Sequence, residues 1–194
     1  MIDEWKILKS EKLLGLNIFD VVRRYYQRPD NKKKIYAHIL ELPNWVNIVG
    51  IDEENRILLI KQFRFGNNRI ELEIPGGIIE KEETPKEAAI RELKEETGYT
   101  VKTIKSIGTV DANPAFMNNK CFTFLAELST KGCTNFDPNE IIELEFATPS
   151  QVKQYLHGNI ISNAYCVIGL FWYFFSEEFG PSVNTMGEIR TPKK

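Results

Sequence analysis

Short apolar and polar runs alternate along the N-terminal part of the chain in a way that predicts β-strands. Three such runs, at residues 5–8, 18–26 and 34–42, are separated by polar turns such as the one at residues 28–31. The second run ends in alternating basic and aromatic residues, which indicates a strand with only one buried face. We therefore expect residues 1–43 to form a small N-terminal β lobe.

The pattern changes from Trp45 onward, where β-branched runs predict the strands of a larger domain. Runs at residues 46–51 and 57–63 predict a hairpin, and further strands are expected at 70–74, 101–110, 120–128 and 141–147. Helices are predicted at residues 149–156 and from about residue 162 to 177. Apolar periodicity is absent at the end of the chain. These features predict an α/β domain at residues 44–180 and a loose tail at 181–194.

One further helix has clear signals at both ends. Thr84 is a suitable N-cap, Pro85 suits the first helical position, and Glu87 completes a capping box. Gly98 is a typical C-terminal glycine. The pair Gly76-Gly77, which follows Pro75, allows backbone conformations and close approaches that side chains forbid. The sequence therefore predicts a glycine-rich loop followed by a helix that begins at Pro85.

Composition and charge narrow the classes of function. The chain has 194 residues, 42% of them apolar and 27% charged, with a formal net charge of −2, which fits one medium domain with a small extra lobe. Nucleic-acid and membrane-surface proteins usually carry a basic excess, so we expect neither partner, and a phosphate-bearing ligand must be held by a few placed cations. Three widely spaced cysteines indicate neither a disulfide framework nor a zinc site. Because no signal-peptide pattern or bilayer-spanning apolar run is present, we expect a cytoplasmic protein.

Three glutamates of the predicted helix form a cluster of like charge. Glu92, Glu95 and Glu96 are three or four residues apart, so their carboxylates are neighbours on one arc. Each such pair destabilises an isolated helix by about 0.2–0.5 kcal/mol. A hard divalent cation reverses this cost, because Mg²⁺ and Mn²⁺ prefer carboxylate and carbonyl oxygens. A solvated glutamate-rich face is the alternative, and the helix alone does not decide between them.

The residues around this cluster follow a fixed spacing. In order they are Gly77, Glu83, Arg91-Glu92-Leu93, Glu95-Glu96 and Gly98-Tyr99. This spacing resembles the Nudix box at each specified position, except that Tyr99 stands where an aliphatic residue is usual. So many matching positions make this a strong motif. The resemblance implies a loop–helix–loop that lies against a mixed sheet in an α/β/α sandwich.

The resemblance also implies a role for each acidic residue of the helix. Glu92 and Glu96 resemble the principal ligands of Mg²⁺ or Mn²⁺, and Glu95 resembles a further ligand or a residue that holds metal-bound water. The carbonyl of Gly76 would complete the ligand set. Glu95 and Glu96 are therefore expected to be catalytic residues.

Two further roles follow from the same resemblance. Glu83 and Arg91 are expected to form a structural ion pair between loop and helix, since the arginine fork binds a carboxylate with two hydrogen bonds. A general base is expected on a mobile loop, and Glu140 stands in the matching place. A solvated turn glutamate is the alternative for Glu140, and Glu143 and Glu145 are further candidates for the base.

Residues outside the box bear on the substrate. Arg64 ends a Gln-x-Arg strand, and Glu73 precedes the box, as in the ADP-ribose and nucleoside-diphosphate-sugar pyrophosphatases that the chain resembles. Pro114 lies near the downstream proline of that group, and Phe116 is a candidate for stacking on a base, with a buried aromatic as the alternative. These four residues are the expected substrate contacts. Many ADP-ribose enzymes have a glycine after this proline, and here Ala115 follows it, so other nucleoside-diphosphate sugars stay open.

The sequence thus yields a hypothesis with named alternatives. The chain is expected to be a divalent-metal-dependent enzyme that cleaves ADP-ribose or a related nucleoside-diphosphate sugar into a nucleoside monophosphate and a sugar phosphate. Because the N-terminal lobe of such relatives helps form a dimer, we expect a homodimer with a composite pocket. Dinucleoside polyphosphate hydrolysis, nucleoside triphosphate hydrolysis and a non-catalytic Nudix-like binding module are the alternatives.

Overall fold

The computed structural model of the chain describes residues 3–135 and 141–179. The predicted general base Glu140 and the predicted tail at residues 181–194 lie outside these residues. The predicted boundary between lobe and domain coincides with the gap between two sheets, since the third strand ends at Glu41 and the fourth begins at Trp45. The division into domains itself stays a prediction.

The N-terminal lobe is an antiparallel sheet. Its strands are β1 (Lys6–Gly15), β2 (Asp20–Gln27) and β3 (Lys34–Glu41), in that spatial order. Val22 and Ile39 are buried and lie opposite each other on β2 and β3. The end of β3 is tied to the loop before the ninth strand, because the Leu40 backbone N–H donates to the carbonyl oxygen of Phe116 at 2.8 Å. Burial in the described part of the lobe is limited to these two residues, and buried and exposed positions do not alternate along its strands as period two would require.

The main sheet has seven strands within the described residues. They are β4 (Trp45–Ile51), β5 (Ile57–Arg64), β6 (Arg69–Glu73), β7 (Gly76–Ile78), β8 (Tyr99–Asp111), β9 (Lys120–Lys131) and β10 (Glu143–Ala147). The path across the sheet is β10-β5-β4-β9-β8, with β6 paired to β5 and β7 to β4. Strands β4 and β9 run parallel and the other neighbours antiparallel. The sheet is therefore mixed, as expected.

Helices cover both faces of this sheet. They are α1 (Pro85–Thr97), α2 (Pro149–His157) and α3 (Ala164–Phe179). Alternate residues of β4 enter different cores: Val46 and Ile48 pack with Leu93 of α1, whereas Val49 packs with Leu170 of α3. This arrangement confirms the α/β/α sandwich with a small N-terminal sheet. No helix of the described ranges has the length and apolar character needed to cross a bilayer, and the cytoplasmic location stays a prediction.

The predicted signals at the ends of α1 are confirmed. The Thr84 backbone N–H donates to the Glu87 carboxylate at 2.9 Å, and the Glu87 backbone N–H donates to the Thr84 hydroxyl at 3.3 Å. Gly98 has a left-handed φ of 76°. A Cβ there would lie 2.6 Å from the carbonyl oxygen of Gly132, so both conformation and space require glycine.

The glycine pair after Pro75 belongs to a strand rather than a loop. Gly76 and Gly77 pair with Asn47 and Val46 of β4. For this reason the predicted β4–β5 hairpin is paired only near its turn, at Gly50 and Ile51. Strand β7 occupies the remaining part of that edge of β4. A Cβ at Gly76 would lie 2.3 Å from the Val46 carbonyl oxygen, so the close approach of the strands depends on this glycine.

Candidate active site

The sheet-facing side of α1 carries a buried carboxylate in the last turn of the helix. Ala88, Ala89 and Leu93 are buried against the sheet, whereas Ile90 is only partly buried. Glu96 is 4% exposed. A buried carboxylate is costly unless hydrogen bonds or cations compensate for its lost hydration. The surroundings of Glu96 therefore matter for the stability of this helix.

The two glycines of β7 serve different carboxylates of the helix. The backbone N–H of Gly76 donates to Glu96 Oε2 at 3.0 Å. A Cβ on Gly77 would lie 2.4–2.6 Å from the carboxylate atoms of Glu92. Gly76 therefore stabilises one acidic group, and the absence of a side chain at Gly77 lets the other carboxylate pack against β7.

Arg91 ties this region together. Its Nε and Nη2 donate to the two oxygens of Glu83 at 2.9 and 3.1 Å, and Nη2 also donates to the Ile78 carbonyl at 2.9 Å. Its Nη1 donates to Glu92 at 2.9 Å and to Glu95 at 3.0 Å. These carboxylates, Glu83 first, raise the pKa of Arg91 above its usual range. The guanidinium thus joins the loop, the strand and the helix as a permanent cation.

The carboxylates of α1 fit a hard divalent cation by their chemistry. Glu92, Glu95 and Glu96 offer oxygen donors, which Mg²⁺ and Mn²⁺ prefer, and the missing side chain of Gly77 lets the Glu92 carboxylate lie against β7. Within the described ranges the acidic side chains do not already converge as a ligand cluster. Arg91 contacts Glu92 and Glu95, whereas Glu96 accepts a hydrogen bond from β7. The roles of these residues as ligands stay predictions.

The two expected substrate contacts on β5 and β6 meet each other. Arg64 Nη2 donates to Glu73 Oε2 at 2.6 Å, and Arg64 Nε lies 3.2 Å from both oxygens. Glu73 is only 1% exposed and also accepts from Asn163 Nδ2 at 3.0 Å. Burial opposes the charged form of Arg64, but Glu73 outweighs it and the pKa of Arg64 is raised. Arg64 therefore stays cationic beside a buried anion.

Arg64 and Glu73 line a cavity next to the glutamate cluster. Its volume is about 540 Å³. Its walls are formed by residues from β4, the β5–β6 hairpin and the start of α3: Trp45, Arg64, Phe65, Gly66, Asn67, Glu71, Glu73, Ser162, Asn163, Ala164 and Tyr165. The cavity is large enough for part of a nucleotide-sized ligand.

The other two expected substrate contacts lie elsewhere. Pro114 and Phe116 belong to the loop before β9 and are exposed, and neither lines the cavity. The carbonyl of Phe116 binds the end of β3 through Leu40. The structure thus brings Arg64 and Glu73 together and places Pro114 and Phe116 at the junction with the N-terminal lobe.

Two of the three candidates for the general base lie within the described residues. Glu140 lies outside the described residues. Glu143 and Glu145 of β10 bind Lys61 Nζ at 3.0 and 2.9 Å, and Glu145 also accepts a hydrogen bond from the Tyr155 hydroxyl at 3.0 Å. These two carboxylates are therefore already engaged on the β5–β10 edge.

Several cavity residues were not predicted from the sequence. Trp45 and Tyr165 are stacked, with ring centroids 6.0 Å apart and planes inclined by 29°. Glu71 is as deeply buried as Glu73 and is bound by Arg69 and Asn67. The run Ile70–Ile74 alternates apolar and acidic residues, which ordinarily indicates a solvated face. Two acidic residues between apolar ones, flanked by Arg64 and Arg69, were the signal for a buried charged network.

Comparison with known proteins agrees with this geometry. The sequence pattern of the NUDIX domain matches residues 42–166. The chain therefore belongs to the Nudix hydrolase family.

Curated relatives include ADP-ribose pyrophosphatases. The one from Bacillus subtilis is 35% identical over 124 residues, covering 64% of this chain and 66% of that protein. The one from Methanocaldococcus jannaschii is 38% identical over 108 residues, covering 54% of this chain and 60% of that protein. The matched segment thus spans slightly less than two thirds of these pyrophosphatases.

Two further similarities extend over more of the chain. The methanol dehydrogenase activator of Bacillus methanolicus is 28% identical over 172 residues, covering 86% of this chain and 91% of that protein. A crystal structure of an ADP compounds hydrolase superposes with a TM-score of 0.81 at 22% identity, over 93% of this chain and 98% of that one. The second similarity shows that the fold includes the N-terminal sheet.

The ion pair between Glu83 and Arg91 predicts that the free energy of unfolding depends on pH. Hydrogen bonds from Arg91 hold the pKa of Glu83 below its ordinary value, so its contribution is present above the unfolded-state pKa and is lost as pH falls through the folded-state pKa. Glu83→Gln should therefore be less stable than the wild type near pH 7, and the difference should shrink toward about pH 3. Urea unfolding at several pH values measures this.

The control for this measurement is Glu80→Gln, which changes an exposed glutamate of the same loop. It should match the wild type at each pH. A Glu83→Gln deficit that stays constant from about pH 7 to about pH 3 would contradict the electrostatic origin of the contribution.

Proposed function

We propose that the chain is a divalent-metal-dependent pyrophosphohydrolase that cleaves ADP-ribose or a related nucleoside-diphosphate sugar into a nucleoside monophosphate and a sugar phosphate. The observation that carries the proposal is the position of Arg64. It lines the cavity, and its partner Glu73 lies on the chain shortly before Gly76, whose backbone N–H binds Glu96. A cation between a nucleotide-sized cavity and a carboxylate cluster suits a diphosphate.

The carboxylate cluster supports the hydrolytic part of the proposal. Glu92, Glu95, Glu96 and the carbonyl of Gly76 would hold Mg²⁺ or Mn²⁺, which when bound supplies charge neutralisation of the diphosphate and an acidified water. Arg91 fixes the carboxylates of Glu92 and Glu95 through hydrogen bonds to both. Preorganised groups of this kind need little rearrangement during reaction, which is the main source of electrostatic catalysis.

The similarity to ADP-ribose pyrophosphatases supports the substrate class. The match to the NUDIX domain, at residues 42–166, covers the box, β5 and β6, and thus the segment that contains Arg64 and Glu73. Substrate selectivity among sugar nucleotides depends on the cavity walls, since the box contacts only groups shared by all diphosphates. ADP-ribose is therefore the first substrate to test, followed by other nucleoside-diphosphate sugars.

The catalytic prediction concerns Glu96. With Mg²⁺ or Mn²⁺, the wild-type chain should convert ADP-ribose or another sugar nucleotide into AMP or its equivalent and a sugar phosphate. Glu96→Gln should lower kcat by about 100-fold or more, as expected when one electrostatic group of a catalytic site is lost. Chromatographic separation of the nucleotide products measures both.

Glu87→Gln is the matched control because Glu87 lies on the same helix and glutamine also completes a capping box. It should keep near-wild-type turnover. Absence of product from a broad panel of sugar nucleotides, together with tight binding of one of them, would favour a non-catalytic binding module. Faster hydrolysis of a dinucleoside polyphosphate or nucleoside triphosphate would favour those substrates instead.

We further propose Glu140 as the general base, on the strength of its place just before β10. Glu140→Gln should reduce kcat by about 10²- to 10⁴-fold with little change in KM, because a general base acts in the chemical step. Initial rates over a substrate series separate the two constants. A Glu140→Gln variant with full turnover, alongside an inactive Glu96→Gln variant, would exclude this role.

We also propose a homodimer formed through the N-terminal lobe. The lobe exposes large apolar side chains that a monomer would leave in water: Ile7, Leu14, Leu16, Ile18 and Tyr36, each 49–58% exposed. Several large apolar side chains exposed on one small sheet are typical of association surfaces. A second copy is the partner that this resemblance and this composition favour.

The proposed dimer predicts the mass of the wild type in solution and the mass of a variant whose lobe surface is charged. Sedimentation equilibrium should give twice the chain mass for the wild type and the single mass for Leu14→Asp combined with Ile18→Asp, because buried charge opposes association. Loss of a composite pocket should also lower activity toward the substrate. Ile141→Asp, at an exposed apolar residue outside the lobe, should remain dimeric. A monomeric wild type, or a fully active monomeric variant, would contradict this proposal.

A further inference from the structure

The cavity beside the box has an apolar side and a polar side. The apolar side consists of Trp45, the first residue of β4, and Tyr165 near the start of α3, with their rings stacked. Phe65, in the β5–β6 turn, is 84% exposed and lines the same cavity. Aromatic surface of this kind suits a planar ring, which can stack on it.

Both aromatic rings are held in place by their backbones and neighbours. The Tyr165 carbonyl accepts from Asn47 Nδ2 at 2.7 Å, and its N–H donates to Asn163 Oδ1 at 2.9 Å. The indole nitrogen of Trp45 is buried. Trp45 therefore presents ring carbons, rather than its N–H donor, to the cavity. A fixed apolar wall suits stacking more than hydrogen bonding.

The charges in the cavity indicate which part of a substrate enters it. Glu73 is neutralised by Arg64, and Glu71 by Arg69 at 2.5 Å. Ser162, Asn163 and Asn67 supply neutral polar groups along the same side. Of the two arginines paired with these acids, Arg64 lines the cavity wall. The interior thus suits an uncharged polar group with N–H or O–H donors, and phosphate is suited to the position of Arg64.

We propose that the Trp45–Tyr165 pair is the stacking platform for the nucleoside base, so that the nucleoside half of the substrate occupies the cavity and the sugar-phosphate half lies outside it. This inference rests on the proposed function for the nature of the substrate. It adds which half is recognised and which residues recognise it. Tyr165 and Trp45 are accordingly specificity-determining residues, and Phe65 is a second aromatic contact at the edge of the cavity.

The test measures binding without metal and without turnover. Isothermal titration calorimetry in the presence of EDTA compares AMP, GMP and CMP with ribose 5-phosphate on the wild-type chain. At least one nucleotide should bind more tightly than ribose 5-phosphate. Tyr165→Leu should weaken the Kd of that nucleotide by about 5- to 100-fold, the range expected for loss of one base–aromatic stack, and should leave ribose 5-phosphate unchanged.

Two further variants serve as a second probe of the cavity and as a control outside it. Phe65→Ala alters an exposed side chain, so it should fold normally and weaken the same nucleotide by a smaller factor. Tyr155→Leu removes an aromatic of α2 that does not line the cavity, and should bind like the wild type. Circular dichroism spectra of all variants confirm that they are folded.

The possible outcomes distinguish a failure of the stacking platform from a failure of the proposed function. If Tyr165→Leu and Phe65→Ala bind the nucleotide as tightly as the wild type, the platform is overturned. Equal weakening of ribose 5-phosphate, or no nucleotide binding by the wild type at millimolar concentration, also overturns it. If the variants lose nucleotide binding selectively while the wild type hydrolyses no sugar nucleotide, the platform stands and the proposed function fails.

Discussion

The hydrogen bonds of Arg91 are the interaction on which the glutamate cluster depends. A single guanidinium contacts Glu83, Glu92 and Glu95 and the Ile78 carbonyl. Without this cation, like-charged neighbours on one helix arc would repel one another, and the partly buried ones would lack compensation. Arginine suits this place because its planar group donates in several fixed directions at once, which lysine cannot do. Arg91 therefore fixes both the carboxylates of the helix and the conformation of the preceding loop.

Strand β4 connects this unit to the cavity. Its backbone pairs with β7, which gives the N–H of Gly76 its position next to Glu96. Its side chains form or support the cavity wall, because Trp45 stacks on Tyr165 and Asn47 binds the Tyr165 carbonyl. Both the box and the cavity are thus built on three successive residues of one strand. Since strand spacing and pleat are fixed by backbone geometry, the distance between the two parts of the site is set by the fold rather than by a flexible loop.

How much of the structure could be predicted from sequence depends on how far apart in the chain the interacting residues lie. The ends of α1 and the Glu83–Arg91 pair depend on residues close in the chain, so their spacing can be recognised directly. Strand β7 was missed because its hydrogen bonds come from β4, about thirty residues earlier. The cavity wall combines Trp45 with Tyr165, and the packing of α3 against β4 brings them together. Pro114 was selected by resemblance and Phe116 as an aromatic that could stack on a base, and their position at the end of β3 depends on tertiary contacts that no local pattern encodes.

The charge distribution explains how a slightly acidic protein can be suited to an anionic ligand. Burying Glu71 and Glu73 costs several kcal/mol each unless a cation and hydrogen bonds compensate, and Arg69 and Arg64 supply these. Each arginine is in turn anchored by its carboxylate, so it loses little conformational freedom when it meets a further anion. The side chain of Arg64 is about one third exposed, which leaves part of its charge available to the cavity. In the proposed site, Arg64, paired with buried Glu73, therefore takes the place of an extended basic surface.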